Sequence, residues 1–309
     1  MLRSPARLCQ PSARVLLSPV EHIGCALLPS VCRICNHPLL HLSASPVCRA
    51  CWRTLQPQTA LLCTLCSEAL DIQPGFRRLE PSHTTAHESL CVLCERARPP
   101  FAQAVAYGEY QSTLRALIHL LKYEQVRSVA RPLGALLAQA MSSFSHPPDA
   151  FTVVAVPLHP GKKRQRGFNQ TILLAESAIA AAHASNAQIP HLTPALRALG
   201  RQRSTESQSG LSVTQRRRNL RGAFFVAQPQ QIAGRAILLL DDIYTTGATA
   251  RECTRVLLAA GAASVHVATL ARSQREGFAL WDAAARTSDF STSPESTRSM
   301  EPCRTQAPS

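Results

Sequence analysis

The sequence predicts an α/β protein in which a parallel sheet is preceded by a small domain held together by metal ions. Two observations lead to this prediction. Eight of the 12 cysteines fall into Cys-x-x-Cys pairs before residue 100, and after that point β-branched apolar runs alternate with segments of helical periodicity. With 309 residues, of which 45% are hydrophobic, the chain can bury a sizeable core, so wholesale disorder is excluded.

The Cys-x-x-Cys pairs have the spacing of structural zinc sites. Two such pairs can surround one tetrahedral ion with four thiolates, so about two Zn²⁺ are predicted to stabilise a module too small for a sufficient core. Disulfides are the alternative, and they would need an oxidising compartment that the N-terminal sequence does not indicate. Local loop closure favours sequential sites over interleaved ones, and His83 and His87 are alternative ligands. The predicted ligands are Cys32, Cys35, Cys48, Cys51, Cys63, Cys66, Cys91 and Cys94.

Composition divides the chain into four predicted regions. Residues 1–30 form a proline-interrupted leader, and residues 31–99 contain the cysteine module. Residues 100–275 form the α/β domain, and residues 276–309 form a Ser/Thr/Pro-rich tail that we expect to be disordered. Arg98-Pro99-Pro100 marks the main boundary, because paired prolines resist helix formation.

Within the α/β domain, hydrophobic periodicity predicts each element in turn. The predicted order is an extended segment at Ala102–Tyr110, a helix from Leu114 to Tyr123, a helix at Val129–Met141, a strand at Phe151–Val156, a basic loop at Leu158–Arg166, a helix at Phe168–Ala182, a strand at Ala236–Leu240, a helix at Thr249–Ala260 and a strand at Ser264–Leu270. This alternation is typical of a parallel sheet that is covered on both faces.

The charge of the chain is strongly positive. There are 33 Lys and Arg residues against 19 Asp and Glu residues, a formal net charge of +14. Such a surplus indicates an anionic partner, either a nucleic acid or a phosphorylated small molecule, although a GC-rich genome that favours arginine codons explains it equally well. Aromatic residues make up only 5% of the chain, which argues against an RNA-recognition sheet.

Nothing in the sequence predicts a membrane segment. The longest apolar runs are well short of the roughly 20 residues that a transmembrane helix needs. Prolines interrupt the N-terminal arginines, and no apolar segment with a cleavage site follows them. We therefore expect neither a signal peptide nor membrane insertion, and a cytoplasmic location.

The most informative segment spans residues 237–249 and reads ILLLDDIYTTGAT. A buried strand delivers Asp241 and Asp242 at its carboxyl end, where open α/β sheets bind ligands. The Thr/Gly turn then opens a helix whose unsatisfied N–H groups suit a phosphate, while a neighbouring carboxylate can accept hydrogen bonds from ribose hydroxyls. The segment therefore predicts a clamp for a ribose 5-phosphate. Its candidate binding residues are Asp241, Asp242, Thr245, Thr246, Gly247, Ala248 and Thr249.

Paired aspartates after a strand also occur in the metal-binding arm of nucleotide hydrolases. That interpretation requires a Walker A loop, and the nearest candidate, Gly161-Lys162-Lys163, lacks both the Ser/Thr and the upstream glycine. The ribose-phosphate interpretation is therefore favoured.

The 237–249 segment resembles the motif with which type I phosphoribosyltransferases bind 5-phosphoribosyl 1-pyrophosphate (PRPP). Residues 31–272 as a whole resemble the ComF family, whose proteins are linked to DNA uptake in natural competence. Further matching motifs are Tyr107-Gly108-Glu109-Tyr110, Leu121-Lys122-Tyr123, Val156-Pro157, Arg166-Gly167-Phe168-Asn169-Gln170 and Ala223-Phe224. The resemblance implies a type I phosphoribosyltransferase-like domain with a central parallel sheet, preceded by a small double zinc-ribbon domain.

The resemblance also implies roles for individual residues. The basic loop would bind pyrophosphate through Lys162, Arg164 and Arg166, with Mg²⁺ accompanying PRPP, although a merely solvated basic loop is the alternative. Asp241 and Asp242 would be the catalytic residues, orienting the ribose and stabilising an oxocarbenium-like transition state while a nitrogen nucleophile displaces pyrophosphate.

Three further expectations concern the partners of the chain. The stretch Arg197–Arg221 holds seven arginines against one acid, and it predicts a lid over the ligand, a nucleic-acid contact or simply an exposed basic loop. The alternatives to an enzyme are a PRPP sensor without turnover and a competence factor that binds single-stranded DNA. The resemblance adds DNA-uptake proteins to the expected partners.

Overall fold

A five-stranded parallel sheet forms the centre of the described structure. The structure is a computed structural model, and it describes residues 30–39, 45–70, 89–185, 189–203, 215 and 220–274. The predicted leader and tail, His83 and His87, and most of residues 204–219 lie outside the described residues. The chain divides into a unit at Met1–Gln274, which holds all the described residues, and a unit at Arg275–Ser309.

The helices and strands largely follow the predicted order. The helices are α1 (Arg49–Arg53), α2 (Val92–Arg96), α3 (Ser112–Tyr123), α4 (Ala130–Met141), α5 (Pro160–Arg166), α6 (Gln170–Ala184) and α7 (Ala248–Ala259). The strands are β1 (Gln103–Glu109), β2 (Ala150–Ala155), β3 (His191–Pro194), β4 (Leu199–Arg201), β5 (Phe224–Val226), β6 (Ala236–Tyr244) and β7 (Ser264–Arg272). Two short 3₁₀ helices lie at Arg127–Val129 and Pro229–Gln231.

The strand order creates a natural ligand-binding crevice. In the sheet the order is β1-β7-β6-β2-β3, while β4 and β5 form a separate antiparallel pair. The chain proceeds outward from β2 to β3 on one side and from β6 to β7 on the other, so the strand order reverses between β2 and β6. Parallel α/β sheets bind ligands at the carboxyl ends of the strands at such a switch point.

Side chains alternate across the sheet and build two hydrophobic cores. On β6, Leu238 and Leu240 pack on the face that α3, α4 and α6 cover, which we call the α6 face. Ile237 and Leu239 pack on the opposite face, which α7 covers and which we call the α7 face. This period of two decides which way each later residue of β6 points.

The cysteine module consists of two ribbons of the same local design. Each begins with a knuckle closed by a β-bridge, Val31 with Pro38 in the first and Leu62 with Ala69 in the second. In each, the second Cys-x-x-Cys pair begins at the N-cap of a short helix, Cys48 for α1 and Cys91 for α2. The first ribbon packs on the α6 face and the second on the α7 face.

The ribbons also cover the edge of the sheet. Ala104 of β1 donates its N–H to the carbonyl of Leu65 (2.8 Å), and Gln58 donates to the carbonyl of Tyr107 (2.9 Å). These bonds satisfy backbone groups that an edge strand would otherwise expose. The domain boundary at Arg98-Pro99-Pro100 remains a prediction, since the ribbons and the sheet belong to one unit.

One predicted element is wrong. The basic segment expected as a loop at Leu158–Arg166 contains the helix α5. Pro160 suits the first turn of a helix, and the His159 side chain caps that turn by accepting the N–H of Gly161 (3.2 Å). Gly167, with φ of 72°, then ends the helix in the left-handed conformation. None of the helices in the described part of the chain combines the length and the apolarity needed to cross a bilayer.

Candidate functional site

The turn between β6 and α7, residues 245–249, has the geometry of a phosphate-binding loop, and we call it the phosphate loop. Gly247 is the N-cap of α7 with φ of 73°, and it has no side chain to cap the free N–H groups of the first turn. A Cβ atom at this position would lie 2.2 Å from the hydroxyl oxygen of Tyr244, so only glycine fits. The helix therefore begins with N–H groups available to an anion.

The phosphate loop lines one small cleft. Its volume is about 10 Å³, room for one water molecule. Thr246 is not part of this lining, but its hydroxyl oxygen accepts the N–H of Ala248 (3.4 Å). The predicted site residues that line the cleft are Asp241, Thr245, Gly247, Ala248 and Thr249.

The two adjacent aspartates belong to opposite faces of the sheet. β6 extends to Tyr244, four residues beyond the predicted end, so both acids are strand residues and their side chains alternate. Asp241 shares the α7 face with Leu239 and lines the cleft, whereas Asp242 shares the α6 face with Leu240. The backbone N–H of Asp242 donates to Oδ1 of Asp241 (2.9 Å).

Asp242 is buried and held by two side chains from distant elements. Nζ of Lys122, at the end of α3, lies 2.7 Å from its Oδ1, and Nε2 of Gln170, the first residue of α6, donates to its Oδ2 (3.0 Å). Burial alone would lower the pKa of Lys122, but the Asp242 carboxylate outweighs that effect and the pKa is raised. The pair therefore keeps a charged lysine at the carboxyl edge of the sheet.

Asp241 titrates near neutrality. Burial, followed by the charge of the Asp242 carboxylate, raises its pKa from 3.8 to about 7, although Lys122, the N–H of Asp242 and Arg201 act in the opposite direction. A carboxyl group that ionises close to physiological pH, in a cleft beside a phosphate loop, is suited to accept hydrogen bonds from a bound ligand.

Cationic side chains from α3, α5 and β4 form a cluster near Asp241 and Asp242. Burial, followed by the charges of Arg201, Arg166 and Lys122, lowers the pKa of Lys162. The guanidinium of Arg201 also acts on Asp241. Of the predicted pyrophosphate ligands, Lys162 and Arg166 therefore belong to this cluster; on α5 both Lys162 and Arg164 are exposed, and Arg166 is partly buried. These neighbouring positive charges repel one another, so the cluster attracts an anion.

The eight predicted metal ligands form two tetrads, one in each ribbon. The first joins Cys32, Cys35, Cys48 and Cys51, and the second joins Cys63, Cys66, Cys91 and Cys94. This is the sequential arrangement. The sulfur atoms are 3.8 Å apart in Cys32–Cys51, 3.7 Å in Cys35–Cys48 and 3.6 Å in Cys66–Cys91.

These distances fit a tetrahedral ion. Zinc–sulfur bonds of about 2.3 Å place neighbouring sulfurs about 3.8 Å apart. They exclude disulfides in the tetrads, since bonded sulfurs lie about 2.05 Å apart. In the second tetrad the Cys66 side chain lowers the pKa of the Cys63 thiol to about 4 by hydrogen bonding, and the same bond raises the pKa of Cys66. A lowered thiol pKa favours the thiolate form that a metal ion binds.

Four residues near the cleft are not predicted as site residues from the sequence. Lys122 and Gln170 lie in motifs that carry the family resemblance, but no spacing rule connects either of them with Asp242. Arg201 was predicted only as one member of a basic stretch. Arg272 lies two residues beyond the predicted end of the last strand at Leu270; it is the last residue of β7, and its guanidinium donates to the carbonyls of Tyr244 and Thr245.

A family model described as the phosphoribosyl transferase domain matches residues 184–296, which include the phosphate loop. A solved structure described as the allosteric regulatory enzyme of purine biosynthesis is 23% identical, with a TM-score of 0.30, over 47% of this chain and 26% of that one. The strand order, the phosphate loop and the family model define a phosphoribosyltransferase-like domain, and two cysteine ribbons precede it.

Whole-chain relatives identify the family. The DNA utilization protein YhgH of Salmonella typhimurium is 33% identical over 79% of this chain and 98% of its own length. The competence protein ComFC of Bacillus subtilis is 30% identical over 74% of this chain and 84% of its own length. The chain belongs to the ComF family.

Proposed function

We propose that the chain binds PRPP together with Mg²⁺ at the switch point between β2 and β6 and transfers its phosphoribosyl group to a nitrogen acceptor. The observation that carries this proposal is the glycine-capped start of α7 beside Asp241. The helix N-terminus would take the 5-phosphate, because the N-cap Gly247 has no side chain to bond its first N–H groups, the bond from Ala248 to Thr246 is long (3.4 Å), and the helix dipole favours negative charge there.

The remaining parts of PRPP match the charges around the loop. Asp241 would accept hydrogen bonds from the ribose hydroxyls, and Lys162, Arg166 and Arg201 would face the pyrophosphate. Mg²⁺, when bound, neutralises charge on the leaving group. The acceptor nitrogen would form its bond to the anomeric carbon as the carbon–oxygen bond breaks, the electron pair would leave with pyrophosphate, and the nitrogen proton would pass to solvent.

Asp242 has a supporting part in this proposal. Its carboxylate is already engaged by Lys122 and Gln170, so it would hold the lysine ammonium at the site rather than bind ribose directly. This differs from the sequence-based expectation that both acids contact the sugar. Asp241 is the acid that lines the cleft.

We also propose Zn²⁺ as the ion of both tetrads, in a structural role, because four thiolates leave no open coordination position. The cysteines of both tetrads are free thiols at distances that suit a metal. That state belongs in a reducing compartment, which supports a cytoplasmic location.

Pyrophosphate release tests the enzyme proposal. Protein with PRPP, Mg²⁺ and a panel of nucleobases and amines should release pyrophosphate, and Asp241→Asn should slow release by about 100-fold, the scale of one lost transition-state contact. Asp149→Asn is the matched control, because Asp149 is exposed at the amino end of β2. PRPP binding without turnover with every acceptor would favour a sensor instead.

A second candidate function is a contact with single-stranded nucleic acid. The Arg166 guanidinium lies 5.0 Å from the ring centre of Tyr123, and that of Arg127 lies 4.6 Å from the ring centre of Phe168. We call these four residues the arginine–aromatic strip. Tyr123 is 62% exposed, so its ring is accessible from solvent. Exposed rings among arginines are typical of surfaces that stack unpaired bases.

The names of the relatives, a DNA utilization protein and a competence protein, support a role of this strip in DNA uptake, with DNA-uptake proteins as partners. Tyr123→Ala should weaken the binding of a fluorescent oligonucleotide by about 1–3 kcal/mol, and affinity should fall steeply with salt. Phe225→Ala, which removes an exposed ring from β5, should have no effect. Equal losses in both variants would count against the strip.

A further inference from the structure

Arg272 connects the phosphate loop with the second cysteine tetrad. It is the last residue of β7 and is only 3% exposed, although it carries a full charge. A buried guanidinium is costly unless its donors and its charge are matched. Its partners lie in two different parts of the molecule.

The first set of partners is the backbone at the start of the phosphate loop. Nη1 of Arg272 donates to the carbonyl oxygens of Tyr244 (3.3 Å) and Thr245, and the guanidinium lies 4.3 Å from the ring centre of Tyr244. In a trans peptide the carbonyl and the following N–H point in opposite directions. By holding these two carbonyls, Arg272 turns the N–H groups of Thr245 and Thr246 away from itself.

The second set of partners belongs to the second ribbon. Nη2 of Arg272 forms a buried ion pair with Glu68 and lies 3.8 Å from Sγ of Cys66. Glu68 belongs to the knuckle itself, because its carbonyl accepts the N–H of Cys63 (2.8 Å). Four thiolates around a divalent ion carry a net charge of −2, so a loaded tetrad attracts the guanidinium more strongly than neutral thiols do.

A second arginine repeats the connection on the other side of the loop. Arg251, in the first turn of α7, donates to the carbonyls of Ala97 (3.0 Å) and Arg98 (3.1 Å). Ala97 is the C-cap of α2, the short helix that contains Cys94. Arg272 and Arg251 thus connect the second ribbon with the chain on both sides of Gly247, at Thr245 and in the first turn of α7.

We propose that Arg272 is a positioning residue through which the metal-loaded second tetrad sets the phosphate loop for PRPP. The inference rests on the proposed function for its ligand, but the coupling between tetrad and loop stands on the contacts alone. Loss of the ion from the second tetrad would loosen Arg272 and free the carbonyl of Thr245, so that the N–H of Thr246 could rotate, whereas the N–H of Ser273 (2.9 Å) would still hold the carbonyl of Tyr244. The first tetrad would have no such effect, because its ribbon contacts α3 through Arg33–Glu124 and Thr54–Thr113.

Hydrogen exchange on the full chain tests the coupling without any ligand. In Arg272→Met, a peptide covering residues 240–249 should exchange at least tenfold faster than in the wild type. Arg235→Met, an exposed arginine at the amino end of the neighbouring strand, is the matched control and should not change it. Arg272→Lys keeps the charge without the planar fork and should recover part of the protection.

Cobalt substitution tests the role of the metal. In protein loaded with Co²⁺, Mg²⁺–PRPP should shift the thiolate–cobalt absorption bands. The shift should persist in Cys35→Ser, which leaves the second tetrad intact, and should vanish in Cys94→Ser, which leaves the first. In Cys94→Ser and Arg272→Met the PRPP dissociation constant should rise at least tenfold, the usual scale of coupling between sites.

The outcomes separate the two proposals. Fast loop exchange in Arg272→Met without PRPP binding by the wild type would leave the coupling standing and overturn the proposed function. PRPP binding with unchanged loop exchange, or an equal spectral response from the first tetrad, would overturn the coupling. If Arg272→Met does not fold, Arg272→Lys and the two serine variants decide between these results.

Discussion

The two cysteine ribbons share the same local structure but differ in the burial of their cysteines and in the elements that they contact. Each has a knuckle closed by a β-bridge, a left-handed residue after its second cysteine (Asn36 or Ser67) and a short helix that begins at the second pair. The first tetrad has an exposed member, Cys35, whereas all four cysteines of the second are buried. The first ribbon contacts α3, and the second contacts Arg272, which in turn bonds the phosphate loop at the carbonyl of Thr245.

The comparison shows that the contribution of each metal site to the fold depends on the residues packed around it. The Cys-x-x-Cys spacing predicts both tetrads equally well, because it depends only on placing four ligands around one ion. The burial of Glu68 and Arg272 makes the second ribbon part of the core that supports the phosphate loop. We therefore expect the second ribbon to be the more sensitive one.

The largest difference should appear when the ion pair between each ribbon and the sheet domain is broken. Glu68→Gln leaves the buried Arg272 without its carboxylate and should lower the free energy of unfolding by about 3–5 kcal/mol. Glu124→Gln removes the exposed partner of Arg33 and should cost about 0–1 kcal/mol. Urea denaturation of both variants measures the difference, and equal losses would break the comparison.

Asp241 and Asp242, which lie on opposite faces of the sheet, should also differ in their effect on stability. Asp242→Asn leaves Lys122 buried without its partner and should destabilise the fold by about 3 kcal/mol. Asp241→Asn should instead stabilise the fold at pH 8, by on the order of 1–4 kcal/mol, because it removes an ionised carboxylate that folding disfavours.

The sign follows from the pKa of Asp241, which folding raises from 3.8 to about 7. The folded state holds this proton more tightly, so the stability of the wild type falls as the pH rises between these two values and is level above about 7. The gain from Asp241→Asn should therefore vanish near pH 4. A gain of the same size at pH 4 and pH 8 would contradict this explanation.

A smaller effect is expected on ligand binding. PRPP should bind more tightly as the pH rises through about 7, because the ionised Asp241 is the better hydrogen-bond acceptor. Calorimetric titrations at pH 6 and pH 8 measure this change. The PRPP phosphates also titrate in this range, so Asp149→Asn should keep the pH dependence of the wild type while Asp241→Asn loses part of it.

The smallest expected difference is in the rate of metal release. A chelator should remove about two zinc ions per chain in two phases, and the first tetrad should empty first because Cys35 is exposed. Mass spectrometry after brief alkylation should find Cys35 labelled before any cysteine of the second tetrad. A single phase with uniform labelling would show that burial does not protect the second ion.

The sequence predicts the fold well because its signals are local. Ala236–Leu240 is a continuous apolar run and Ser264–Leu270 is rich in apolar and β-branched residues, as is typical of buried parallel strands, and the prediction of a parallel α/β sheet is confirmed. The basic segment after β2 was misjudged because its lysines and arginines suggest a loop, whereas Pro160 and Gly167 supply a start and a stop for α5.

The site is predicted only in part, because its partners come from distant positions. The phosphate loop is contiguous, so its glycine and threonines stand out in the sequence. The separation of Asp241 from Asp242 follows from four more strand residues than periodicity predicts, residues 241–244, because both acids then alternate across the sheet. Lys122, Gln170 and Arg272 act through contacts between elements, which no local pattern encodes.

Calorimetry of Mg²⁺–PRPP with wild type and Gly247→Ala tests the central claim most directly. We expect one binding site per chain in the wild type and no measurable binding in Gly247→Ala, because its Cβ would meet the Tyr244 hydroxyl at 2.2 Å in a left-handed turn. Binding of equal affinity in both proteins, or none in the wild type, would contradict the placement of PRPP at the phosphate loop.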